Sequence, residues 1–196
     1  MSVHILRSAP VSWGDYGGVL VHGLSRRRER IAGVMQLERA GPFVPPITFP
    51  TPAEVVVTSA FRERLERAAF TGLIFQRIDV VTAVDLPWEE WDRTRPRPAV
   101  MPPSGEPEDY LPTAMHSSAC AAKIGRLWEF AAPGSAVGTR VNIGFRKYSY
   151  KVAVRADAPD FFRAEGLGFT FVSDRARAWL AKVASAWVAF ETIAQN

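Results

Sequence analysis

One pair of side chains in this sequence has the types and spacing of a nucleophile and its base, His116 and Cys120. Residues four apart share a face of a helix, so the imidazole could accept the proton of the thiol. Carboxylates suited to acid–base work or to a divalent cation precede this pair, at Asp85, Glu89, Glu90 and Asp92. One hypothesis is therefore a small enzyme with a site near His116/Cys120 and the acidic cluster at 85–92. The simpler interpretation is a buried thiol beside a surface histidine, because free cysteine commonly fills cores.

Other signatures of catalysis are not found in the sequence. It has no G-x-S-x-G elbow, and its glycine pairs at 17–18 and 166–168 do not form a phosphate-binding loop. A single cysteine excludes an internal disulfide framework and a multi-cysteine zinc site. The three histidines are scattered along the chain. The sequence thus predicts a protein that is not an enzyme and has no metal or other cofactor.

A run of basic residues is the densest charge in the chain, at Arg26, Arg27, Arg28 and Arg30. The overall excess is modest, since 24 Lys and Arg against 20 Asp and Glu give a net charge of +4. Nucleic-acid binding typically spreads basic residues over one face with aromatic residues among them. We therefore expect a solvated turn here, or a contact with an acidic protein partner. A basic nucleic-acid-binding protein remains an alternative.

Aromatic residues define another candidate surface. In the segment VDLPWEEWD, two tryptophans flank a pair of glutamates directly before a proline-rich segment. Tryptophan and tyrosine are favoured interface anchors because they bury a large rigid surface at low entropic cost. The competing interpretation is that both rings pack onto the core beneath the loop. The predicted partner-binding residues are Trp88, Glu89, Glu90, Trp91, Asp92, Tyr110, Arg26, Arg27 and Arg28.

Composition limits the class of protein. The 196 residues are 47% hydrophobic and 22% charged, which is ordinary for a globular chain and fits one domain. The 15 prolines concentrate in two segments, 42–52 and 87–112, where they exclude long helices and central strands. Residues 93–112 are predicted to form a long surface loop. No signal peptide or apolar span of about 18 residues is found, so we expect no membrane contact and a cytoplasmic location.

The hydrophobic pattern predicts several elements around these loops. Residues 17–24 and 31–38 are expected to be short strands of a hairpin around the arginine run. Residues 139–155 alternate strongly and change parity near Arg146 and Lys147, which predicts a bulge or tight turn there. One helix is expected within residues 113–130.

An internal repeat is the most informative pattern. Residues 55–78 align without a gap on residues 170–193, and each copy has a β-rich run, a candidate helix and a second strand. Thr58 and Ser173 occupy the expected N-cap positions. The sequence therefore predicts an α+β fold of mixed or mostly antiparallel sheets with few helices and long proline-rich loops. The single domain, residues 1–196, could contain pseudo-repeat halves at about 1–92 and 113–196, joined by loop 93–112.

These segments resemble a recurring element of bacterial immunity proteins from polymorphic toxin systems. The first segment, VVVTSAFRERLERAAFTGLIFQRI, contains the G-L-x-F pattern of that element. In the C-terminal stretch 158–193, which includes the second repeat segment, D-x-F-R precedes V-S-D-R, matched by Asp160, Phe162, Arg163, Val172, Ser173, Asp174 and Arg175. The nearest group is the myxobacterial-type immunity domain, including the double-CxxCG family. This chain lacks the CxxCG motifs, because its only cysteine is Cys120.

The resemblance implies a function by binding, with no catalytic residues. We expect a cytoplasmic immunity protein that neutralises a cognate toxin, encoded by a neighbouring gene, by stoichiometric binding that covers the toxin's active site. Nuclease toxins tend to be basic and suit acidic inhibitors. The positive charge of this chain therefore favours an acidic or neutral toxin. The small enzyme and the nucleic-acid-binding protein remain the alternatives.

Overall fold

The computed structural model describes residues 2–26, 30–101, 106–144 and 147–193 and contains two six-stranded sheets. The first sheet comprises, in spatial order, Val188–Ile193 (β12), Val3–Ser8 (β1), Thr170–Ser173 (β11), Phe161–Glu165 (β10), Gly134–Gly144 (β8) and Lys147–Val154 (β9). The second comprises Leu24–Ser25 (β2), Met35–Ala40 (β3), Ile74–Val84 (β6), Leu127–Ala131 (β7), Glu54–Thr58 (β5) and Ile47–Thr51 (β4). The described helices are Gly14–His22 (α1), Ser59–Arg67 (α2), Pro107–Tyr110 (α3), Ser118–Ile124 (α4) and Asp174–Val183 (α5).

Both sheets are mixed. β3 runs parallel to β6 and β10 parallel to β8, whereas the other strand pairs are antiparallel. The predicted α+β class with mixed sheets is confirmed.

The two predicted strand–helix–strand units are present as β5–α2–β6 and β11–α5–β12. In each unit, the two strands lie on either side of a third strand that is antiparallel to both. That strand is β7 in the first unit and β1 in the second. The strand before each unit, β4 or β10, pairs antiparallel with the unit's first strand. The structural repeat therefore extends beyond the segments that align in sequence.

The central strand of each unit comes from the opposite end of the chain. β1, near the N-terminus, completes the sheet of the C-terminal unit, and β7 completes the sheet of the N-terminal unit. The sheets therefore do not follow a division into residues 1–92 and 113–196, because each half supplies a strand to the other half's sheet.

The two unit helices begin and pack in the same way. The hydroxyl of Thr58 accepts a hydrogen bond from the Phe61 amide (3.3 Å), and the hydroxyl of Ser173 accepts one from the Ala176 amide (3.2 Å). Each cap satisfies one of the amides that a helix leaves unpaired in its first turn. The apolar faces of both helices enter one core, where the Trp179 ring lies 5.8 Å from the Phe61 ring. Ala69 follows the end of α2 and is exposed.

The predicted strand at residues 17–24 is wrong, because residues 14–22 form helix α1. Valine and leucine beside glycine favour a strand by local propensity. Tertiary contacts override this preference: the fully buried Arg39 donates a hydrogen bond to the Val21 carbonyl in the last turn (2.9 Å). A cation at this end also offsets the partial negative charge of the helix C-terminus. Gly17 permits the packing, because a Cβ there would lie 1.8 Å from the Ser12 carbonyl oxygen.

Other predicted elements are closer to the structure. The alternating residues 139–144 and 147–154 lie in β8 and β9, which pair antiparallel with a register shift between Asn142 and Gly144. Arg146, at the expected turn, lies outside the described residues. The helix expected within 113–130 is α4, capped by the Ser117 hydroxyl. The loop expected at 93–112 contains the short helix α3 at its end, and residues 102–105 lie outside the described part.

One carboxylate connects the two units. Asp160 accepts hydrogen bonds from the Thr71 amide and hydroxyl, both at 3.1 Å, in the segment that follows α2. It also accepts bonds from the Ser173 hydroxyl (2.8 Å) and from the Arg175 guanidinium (2.5 Å), at the start of α5. Arg175 in turn donates to the Ala69 carbonyl (3.1 Å). We call this set, Ala69, Thr71, Asp160, Ser173 and Arg175, the joint.

Asp160→Asn is expected to lower the free energy of unfolding at pH 7 by about 2 kcal/mol, since hydrogen bonds to a charged group are lost. Partial burial raises the pKa of the Asp160 carboxyl. Hydrogen bonds from Arg175, Thr71 and Ser173 outweigh this effect and hold the pKa well below its usual 3.8. The carboxylate therefore contributes its stability above pH 3.8 and loses it as the pH falls toward the folded-state pKa. Urea unfolding at pH 7 and pH 3 should show a smaller difference between variant and wild type at pH 3.

The control for this experiment is Asp157→Asn, because Asp157 is exposed and its ion pair with Arg155 lies in solvent. We expect little change from that substitution. If Asp160→Asn lowered the free energy of unfolding by the same amount at both pH values, the role assigned to the carboxylate charge would be wrong.

Candidate functional site

An aromatic surface forms where the start of α1 meets the proline-rich segment. Trp13, directly before α1, lies with its ring 5.8 Å from that of Trp91, and Tyr110 of α3 belongs to the same apolar cluster. All three side chains are half-buried. We call these three residues the aromatic face.

The Trp13 ring is held by two independent constraints. Its indole N–H donates to the Arg95 carbonyl (2.9 Å), and its ring also lies 6.4 Å from the ring of Tyr16. Its backbone has φ 69°, in the left-handed region that costs a residue other than glycine on the order of 1–3 kcal/mol. The surrounding contacts offset that strain and fix the ring in one orientation.

A turn at residues 92–95 supplies the Arg95 carbonyl. The Asp92 carboxylate accepts bonds from the Thr94 hydroxyl (2.5 Å) and amide (3.0 Å) and from the Arg95 side chain (3.3 Å). The Thr94 hydroxyl and amide, followed by Arg95, hold the pKa of this exposed carboxyl below its usual range. The predicted site residue Asp92 therefore orders the loop beneath Trp13.

Trp88, predicted as an interface anchor, is completely buried, so the prediction for this residue is wrong. Its indole N–H donates to the Ala40 carbonyl (2.8 Å), and its ring lies 5.6 Å from that of Phe43. Glu89 is half-buried and Glu90 is exposed, in the single 3-10 turn that begins at Trp88. Exposure in the W-E-E-W segment thus rises from the buried Trp88 to the exposed Glu90, and Trp91 is half-buried.

The described ends of the arginine run form ion pairs within the protein. Arg26 pairs with the fully buried Glu38 of β3. Arg30 reaches across the second sheet and pairs with Glu129 of β7 (2.8 Å) and Glu54 of β5 (3.2 Å). Arg27 and Arg28 lie outside the described residues. Arg26 and Arg30 therefore form ion pairs with carboxylates of the second sheet.

The candidate nucleophile and base are each bonded to the backbone of β6. The buried Cys120 thiol donates to the Val84 carbonyl (3.6 Å), and burial, followed by the charge of Asp85, raises its pKa. A raised pKa disfavours the reactive thiolate. The exposed His116 accepts a hydrogen bond from the Ala83 amide through Nδ1 (3.2 Å). Within the described ranges, no three His, Cys, Asp or Glu side chains are grouped to hold a metal ion.

Trp13 is the member of the aromatic face that sequence reasoning missed. The only local signal is a tryptophan followed by Gly14, outside any predicted element. Its partners, Trp91 and the Arg95 carbonyl, are far away in sequence, so only the tertiary fold brings them together.

Comparison with known proteins gave no family model, no curated protein and no solved structure that matches this chain. In the described ranges, no helix combines the length and apolar composition needed to cross a membrane.

Asp92→Ala is expected to raise amide hydrogen exchange at Thr94 severalfold, because the Thr94 amide loses its acceptor. Global stability should change by less than about 0.5 kcal/mol, since the carboxylate is exposed. Exchange measured by NMR, with Asp109→Ala as an exposed control on α3, tests the turn. Unchanged exchange at Thr94 would show that the turn does not depend on Asp92.

Proposed function

We propose that this chain is an immunity protein that neutralises a cognate bacterial toxin by direct, stoichiometric binding over the toxin's active site. The proposal makes it a binding protein and not an enzyme, with no cofactor, acting in the cytoplasm of the cell that it protects.

The observation that carries the proposal is the fixed, half-exposed aromatic face. Interface hot spots are enriched in tryptophan and tyrosine, and rigid rings lose little entropy when a partner covers them. The bond of Trp13 to the Arg95 carbonyl and its ring contact with Tyr16 prearrange this surface before binding. Val100, in the proline-rich segment, is 68% exposed, and Met115, directly after it, is 91% exposed. These apolar side chains supply further area for a protein partner.

The charge of the chain bears on the partner. A net charge of +4 favours encounter with an acidic or neutral toxin over a basic nuclease. The exposed Glu90 and Asp92 beside the aromatic face provide polar groups for the rim of an interface.

The residues of the family resemblance support the scaffold. Asp160, Ser173 and Arg175 belong to the joint, and Phe162 is fully buried with its ring stacked 5.5 Å from that of Phe171. In this proposal, the residues that match the immunity-protein motifs stabilise the fold. The proline-rich segment between the two repeated units forms the surface that is specific for the toxin. Sequence differences there would give each immunity protein its own toxin.

The proposal is tested by co-expressing the chain with the product of the neighbouring gene. We expect a one-to-one complex and protection of cells that produce the neighbouring protein. If the chain neither binds that product nor protects the cells, the immunity function is wrong.

A substitution then tests the surface. Trp91→Ala should weaken the complex by about 30-fold or more, the scale of an aromatic hot spot. The matched control is Trp128→Ala. Trp128 of β7 is also a half-buried tryptophan, and its ring lies beneath the Arg62 guanidinium of α2. Thermal unfolding of both variants is the check that they remain folded. If the Trp91→Ala variant bound the neighbouring protein with full affinity and still protected the cells, the interface would lie elsewhere on the chain.

A further inference from the structure

Strands β8 and β9 extend beyond the first sheet as a two-stranded ribbon. Within the described residues, β8 pairs with β10 only through residues 134–137, and from there to Gly144 it pairs with β9 alone. The side chains of residues 139–144 and 148–151 are exposed or half-buried on both faces of the ribbon. We call these two stretches the arm. Six residues of extended chain give it a length of about 20 Å.

The arm segment concentrates the charge of the chain. Residues 139–151 contain four basic residues and no acidic one, so their charge equals the net charge of +4 of the whole protein. The rest of the chain is balanced, with 20 basic and 20 acidic residues. Arg146 and the side chain of Lys147 lie outside the described part, whereas Arg140 and Lys151 are described and exposed.

These two cations are available to a ligand. Neither forms an ion pair or a hydrogen bond with another described residue, although the Arg140 guanidinium lies 4.5 Å from the centroid of the Tyr148 ring. Two carboxylates lie at the base of the arm instead. Glu165 of β10 is paired with the first part of β8, and Asp157 follows β9 and pairs with its own neighbour in sequence, Arg155 (3.4 Å).

Arg140 and Lys151 lie on opposite faces of the arm. Residues that are directly opposite each other on paired strands share a face, and Lys151 is opposite Thr139. Thr139 and Arg140 are successive residues of one strand, so they point to opposite faces. A partner with a flat surface would contact one face and one of the two cations. A partner that uses both cations must lie on both sides of the arm.

The other polar side chains of the arm add hydrogen-bond donors without adding negative charge. They are the hydroxyls and the amide of Thr139, Asn142, Tyr148, Ser149 and Tyr150. Asn142 accepts a bond from the Gly144 amide through its carbonyl oxygen (3.0 Å), which leaves its NH₂ group free to donate. Such a surface is complementary to a ligand that presents negative charge and acceptor oxygens on both sides of the ribbon.

We infer that the arm enters the major groove of double-stranded DNA, with Arg140 and Lys151 against the phosphates of its two walls. The major groove of B-form DNA is about 12 Å wide and about 8.5 Å deep, and it admits a two-stranded β-ribbon. Arg140 lies four residues from Gly144, about 13 Å along the strand, so it reaches the phosphates when the end of the arm lies in the groove. This inference is independent of toxin binding, because the arm shares no residue with the aromatic face.

The test measures binding of the intact chain to a fluorescent DNA duplex of about 20 base pairs, by anisotropy at several salt concentrations. We expect saturable binding that weakens steeply with salt, because each phosphate contact releases counterions. The double variant Arg140→Ala/Lys151→Ala should weaken binding about tenfold at low salt. It should also reduce the slope of log K against log salt by about 1.8, the value for two lost phosphate contacts.

The matched control is Arg97→Ala/Lys182→Ala. It removes the same two residue types from exposed positions outside the arm, so both double variants have the same net charge. We expect the control to bind DNA within about twofold of wild type. The melting temperatures of both variants are the check that they remain folded.

Single variants test the geometry of the arm in the groove. Arg140→Ala and Lys151→Ala should each weaken DNA binding severalfold, because the two side chains contact opposite walls. A loss confined to one of these variants would contradict insertion into a groove.

Two competing ligands separate DNA from other polyanions. An RNA duplex should bind at least about fivefold more weakly, because its major groove is deep and narrow. Polyglutamate at equal charge should not displace the DNA. Displacement by polyglutamate would assign the arm to acidic proteins and overturn the inference. Absence of salt-dependent DNA binding, or an equal loss in the arm and control variants, would also overturn it.

Discussion

The Asp160 carboxylate is the interaction on which the arrangement of the two units depends. Its two oxygens accept bonds from the segment after α2 and from the start of α5, so one side chain connects both strand–helix–strand units. The chain approaches itself closely there, since a Cβ at Gly72 would lie 2.0 Å from the Phe161 carbonyl oxygen. Exchange of β1 and β7 between the sheets adds a second connection, and both unit helices therefore share one core.

Helix α1 connects this scaffold to the aromatic face. It follows β1, and Trp13, directly before its first turn, lies against Trp91. The buried Arg39 fixes its C-terminal end, and Gly17 allows its close approach to the preceding loop. A short helix of weak intrinsic propensity thus depends on tertiary contacts for its structure.

Sequence patterns predicted the elements whose signals are local. The caps at Thr58 and Ser173, the helices α2 and α5 and the alternating strands β8 and β9 all follow from side chains a few residues apart. The candidate site was predicted only in part. Trp91, Asp92 and Tyr110 lie at the surface, but nothing local separates Trp91 from the buried Trp88, and Trp13 gave almost no signal.

By itself the sequence determined the α+β class, the repeated unit, its helix starts and the proline-rich segments, because spacing and capping act over one or two turns of chain. Tertiary structure decided that residues 14–22 are helical, that β1 and β7 exchange between sheets, and which aromatic rings reach the surface. These outcomes depend on contacts between residues far apart in sequence, such as Arg39 with Val21 and Trp13 with Arg95, which local propensities do not encode.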